Sequence, residues 1–75
     1  NVVINMEFEK ESDKNAFRAV YKDTKIILEA YNSQKAKGHA KLSEWSSAIA
    51  SKYNGTAKVT KEAKNIVKID TEVEL

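Results

Sequence analysis

The stretch Val2-Val3-Ile4-Asn5-Met6-Glu7-Phe8-Glu9-Lys10 decides how the rest of the chain is read. Val2, Ile4, Met6 and Phe8 occupy alternate positions, and Val3, Asn5, Glu7 and Glu9 alternate with them. Successive side chains of an extended chain point to opposite faces, so this spacing predicts a strand over residues 2–10 with one buried and one wet face. Ser12, Asp13 and Asn15 follow, and their side chains can accept from the unpaired N–H groups of a helix start. Ser12 is the expected cap.

Phe17, Val20, Tyr21, Thr24, Ile27, Leu28 and Tyr31 then recur at three- and four-residue spacing, which predicts one long amphipathic helix. It should fade near Gln34 and stop by Gly38. A second helix is expected from Ser43 as its cap, through Trp45, Ile49 and Tyr53, to Asn54-Gly55 as terminator. Leu42, just before that cap, should pack under the helix entrance. In the tail, Ala57 and Val59, a polar turn at Glu62-Ala63-Lys64-Asn65, and then Val67, Ile69, Thr71, Val73 and Leu75 read as a hairpin. The competing reading is a short helix over residues 60–67 capped by Thr60. The order β-α-α-β-β predicts an α+β domain: two helices packed on one face of a small, mainly antiparallel three-stranded sheet. Residues 1–75 are expected to form a single small domain with the other sheet face uncovered.

With 75 residues, no cysteine and one histidine, one modest core must fold without disulfides or a zinc site. The absence of cysteine fits a cytoplasmic protein, and no apolar run approaches the roughly 20 residues a membrane span needs. Thirteen Lys+Arg against eleven Asp+Glu leave a net charge of +2. The excess sits in the middle: residues 1–23, 24–55 and 56–75 carry −1, +3 and 0.

Catalytic signals are sparse. His39 stands in a Lys-Gly-His-Ala-Lys connection without a neighbouring carboxylate closer than Glu44, which reads as a solvated loop histidine. Glu7, Glu9 and Glu11 alternate on the outer face of the first strand, and Asp70, Glu72 and Glu74 do the same on the last. Such rows can hold hard cations, and they equally discourage edge-to-edge aggregation, the reading preferred here. Two glycines cannot build a phosphate-cradling loop, and no EF-hand or dinucleotide fingerprint is present. Asn54-Gly55-Thr56 matches a glycosylation sequon that the helix terminator explains. No catalytic residue, cofactor or metal is expected.

Two surface features bear on partners. On the far side of the long helix, Ala19, Ile26 and Ala30 lie about 200°, 180° and 220° around from Phe17, a small apolar strip suited to a protein partner or a second copy. Lys35, Lys37, His39 and Lys41, flanked by Lys52 and Lys58, form a basic segment over residues 35–58 that offers phosphate contacts. The expected function is therefore a small non-enzymatic protein-binding or regulatory module, of inhibitor or adaptor type and homodimeric or bound to another protein. The alternative is a small nucleic-acid-binding protein using the basic segment.

Overall fold

The computed structural model describes residues 2–38, 41–62 and 66–75. Its elements run in the order β1 (Val2–Phe8), α1 (Glu11–Val20), α2 (Thr24–Ala36), α3 (Leu42–Lys52), β2 (Gly55–Val59) and β3 (Ile69–Glu74). The α+β class and the uncovered sheet face are as expected. Two features differ from expectation: there are three helices among the described residues, and the sheet is mixed.

The expected long helix breaks at residues 21–23. Asp23 takes an extended backbone, and its Oδ1 accepts from the Ile26 N–H at 2.9 Å, so a new helix starts there. An aspartate at this position satisfies a donor that helix geometry leaves unpaired. The apolar spacing runs on through the break, so periodicity alone merges the two helices. At the close of α1, Arg18 Nη1 donates to the Tyr21 carbonyl at 3.3 Å. Ser12 lies inside α1, whose cap position is Lys10 with no side-chain hydrogen bond.

The sheet order is β2-β1-β3. β1 pairs antiparallel with β2, Ile4 opposite Val59 and Phe8 opposite Gly55. It pairs parallel with β3, Val2 opposite Ile69 and Glu7 opposite Glu74. The expected hairpin is therefore absent: β2 and β3 flank β1 instead of pairing with each other. Ala63, Lys64 and Asn65, the turn expected there, lie outside the described residues, and no helix occupies residues 60–62 or 66–67. The physical reason is burial. Val2, Ile4, Met6 and Phe8 are all buried, whereas β2 offers only Ala57 and Val59 to the core. The most apolar strand gains most from a neighbour on both sides.

The helices cover the inner face of the sheet, and the core joins Ile4, Met6, Phe17, Ile27, Tyr31, Leu42, Trp45 and Ile69. All six aromatic rings form one connected cluster. Phe17 is its hub, with ring centroids 5.2 Å from Phe8, 5.0 Å from Tyr21 and 5.8 Å from Tyr53. Trp45 extends it to Tyr21 at 6.3 Å and Tyr31 at 5.8 Å. Val20, expected in the stripe, is 54% exposed, because α1 ends there and turns away.

Between α3 and β2 the chain reverses at Asn54, which has φ 56°. Gly55 is required by close approach: a Cβ there would sit 2.5 Å from the Glu7 carbonyl oxygen and 2.7 Å from the Phe8 ring. At the other end of α3, Leu42 is the first helical residue and fully buried, and Ser43 is inside the helix. The capping role expected of Ser43 belongs to Glu62, from the connection between β2 and β3. Its carboxylate accepts from the Leu42 and Ser43 N–H groups at 3.2 and 2.7 Å.

Candidate functional site

The strip of Ala19, Ile26 and Ala30 is divided between two helices. Ala19 is exposed on α1, while Ile26 and Ala30 are half-buried on α2 beyond the break. Ala30 turns toward α3, where with Tyr21, Trp45, Ala48, Ile49 and Lys52 it lines a groove of about 360 Å³. Trp45 and Ile49 on its floor are buried core residues, so the groove is shallow.

The basic residues are spread as well. Lys35 lies in the last turn of α2, Lys37 is its C-cap and Lys41 is the N-cap of α3. His39 lies outside the described residues. Lys52 closes α3 at its far end, about 16 Å from Lys41 at 1.5 Å per residue. Lys58 alternates with the inward Ala57 and Val59, so it stands on the face of β2 opposite the helices. The fold thus leaves Lys35, Lys37 and Lys41 at one end and sends the other two elsewhere.

The carboxylates behave differently. In β3, Ile69, Thr71 and Val73 face the helices, which puts Asp70, Glu72 and Glu74 on the uncovered face. Glu7 stands beside Glu74, and Asn5 beside Glu72, on the neighbouring central strand. Glu9 and Glu11 do not join them, because β1 ends at Phe8 and Glu11 opens α1. One face therefore carries Glu7, Asp70, Glu72 and Glu74, against Lys58 across the sheet and Lys68 at the start of β3, 3.9 Å from Asp70 in an exposed ion pair. Among the described residues no cluster of carboxylates or other ligands is tight enough to hold a metal ion. The row is spread along a strand at about 6.6 Å per pair of residues.

This face also ends on a free edge. β3 pairs with β1 on one side, and among the described residues no strand lies on the other. An edge strand presents unpaired N–H and C=O groups along its length. Beside the start of β3, a notch of about 170 Å³ is lined by Thr24, Lys25, Leu28, Val67, Lys68 and Ile69. Val67 at its lip is 85% exposed. The carboxylate row and its exposure to edge pairing were expected from the sequence, whereas the partner of β3 is β1 and not the expected β2.

Among the described residues three ionisable groups are displaced from their ordinary pKa, each for a structural reason. Burial raises Tyr21, with the nearby Tyr53 adding to it, and burial raises Tyr31, with the Glu62 charge adding to it. Glu62 is lowered, chiefly by the Ser43 hydroxyl, then by the Ser43 and Leu42 N–H groups and the Lys41 charge, against an opposing effect of burial. Among the described residues no helix is long and apolar enough to cross a membrane. No protein-family model, no curated protein and no solved structure matches the chain.

Proposed function

We propose that this chain is a small non-enzymatic protein-binding module, of inhibitor or adaptor type, acting in the cytoplasm. The observation that carries the reading is the contrast between the two sides of the sheet. Among the described residues the helices and the aromatic rings are spent on the inner face, while the outer face ends in an acidic strand whose far edge pairs with no other strand. An unpaired edge gives main-chain affinity to a partner, and the side chains beside it give selectivity. The non-enzymatic part is supported by the displaced groups: the two tyrosines belong to the aromatic core, and Glu62 completes a helix. The cytoplasmic part is supported by the lack of cysteine.

The test is affinity capture from lysate by the tagged chain, with and without nuclease, beside the double variant Glu72→Lys/Glu74→Lys. The expected result is a protein retained after nuclease treatment and lost with the double variant. Capture that disappears with nuclease, or a salt-sensitive gel shift of a random duplex, transfers the function to the basic residues Lys35, Lys37, His39, Lys41, Lys52 and Lys58.

A further inference from the structure

We infer that the free edge of β3 accepts, as a fourth strand, an extended segment of a partner protein in which Lys or Arg alternates with apolar residues. The inference rests on the protein-binding reading above and names the chemistry of the partner.

β3 is six residues long and hydrogen-bonded to β1 alone among the described residues, so alternate backbone groups along its far side point outward. A strand added there lies about 4.8 Å away, and its side chains follow the same alternation as those of β3. On the outer face its side chains stand beside Asp70, Glu72 and Glu74, spaced about 6.6 Å apart. Cations at every second residue of the incoming segment match that spacing, one beside each carboxylate. On the inner face its side chains turn toward α2. The notch there, of about 170 Å³ and lined by Leu28 and Val67, can take a branched aliphatic side chain.

The same charges decide against a second copy of this chain on the same edge. Two β3 strands paired about a twofold axis would bring their acidic rows side by side, and like charges directly opposite one another are destabilising. The other edge strand among the described residues, β2, offers five residues with Thr56 and Lys58 outward, one cation and no carboxylate, where β3 carries three carboxylates with Lys68 beside the first of them. An acidic edge of this kind rejects its own copies and takes a basic strand.

The experiment uses three labelled synthetic peptides with the full chain, read by fluorescence anisotropy: an alternating Lys-Val heptapeptide, its block permutation with the same residues, and an alternating Glu-Val control. The expected result is saturable binding of the alternating peptide, at least about tenfold weaker binding of the permuted one, whose ladder hydrogen bonds cannot keep all its lysines on one face, and none of the control. Amide exchange provides the second readout. Alternate β3 amides should slow at least about tenfold when the alternating peptide is bound, and those of β2 should not change. The Glu72→Lys/Glu74→Lys variant, checked for an unchanged circular dichroism spectrum, should lose the peptide. Equal binding of the permuted peptide, protection elsewhere than β3, or no binding at millimolar protein overturns the inference. A cellular protein partner that the double variant still captures would leave the binding module standing while removing the strand-addition reading.

Discussion

Glu62 accepts from two backbone N–H groups at the start of α3, twenty residues before it in the chain. Helices usually obtain this service from Ser, Thr, Asp or Asn immediately before the first turn. Glu62→Ala is expected to cost about 0.5–1 kcal/mol, the lower part of the range for a cap because the carboxylate is exposed and screened. Its pH dependence has a definite sign. The folded pKa lies below the ordinary 4.5, so the stabilisation is complete above that value and is lost as pH falls through the folded pKa. Urea unfolding of the parent and Glu62→Gln from pH 7 to pH 3 should show a difference that shrinks on the acid side; a constant difference would contradict the capping role. Ser46 is fully buried on α3, and its Oγ has no hydrogen-bond partner among the described residues; the same holds for the buried Thr71 Oγ1. A buried hydroxyl without a partner carries a desolvation cost of about 1–3 kcal/mol, so Ser46→Ala and Thr71→Val should each raise the melting temperature.

Phe17 and Trp45 tie the helices to the sheet and to each other through one ring cluster, and each is almost fully buried. Truncating either to alanine should cost about 3–5 kcal/mol, a large share of a small domain's stability, and a melt within a few degrees of the parent would show that the cluster is not the core. Asp23→Ala should cost about 1 kcal/mol by removing the cap of α2, and its loss of helical signal should be confined to that helix's first turn. These elements also show what the sequence made legible. The first strand, expected over residues 2–10 and observed as Val2–Phe8, the end of α2 before Gly38 and the buried places of Phe17 and Trp45 follow from periodicity and from glycine's backbone freedom, both local properties. The break at Asp23 had a local signal, an Asp-Thr pair, which an uninterrupted apolar rhythm concealed. The pairing of β2 and β3 with β1 had none: which strand neighbours which is settled by burial among distant segments. The candidate site was half legible for the same reason, its carboxylates by spacing and the neighbour of β3 only through the sheet order.

β1 is the middle strand of the sheet, and the two strands beside it come from the last third of the chain. Amide exchange should therefore be slowest in β1, hydrogen-bonded on both sides, and faster in β2 and β3; protection centred on β3 in the free protein would contradict the strand order. The arrangement also sets a timetable for synthesis. β1 leaves the ribosome first, yet its antiparallel neighbour ends at Val59 and its parallel one at Glu74. At about 5–20 residues per second, the most apolar strand waits on the order of 3–10 s for its first partner and longer for its second. During that interval the helices that will cover it are already emerging, and they reach Val2, Ile4, Met6 and Phe8 before any strand does. The nascent chain therefore shelters its future centre under helices first and completes the sheet only when the acidic strand arrives.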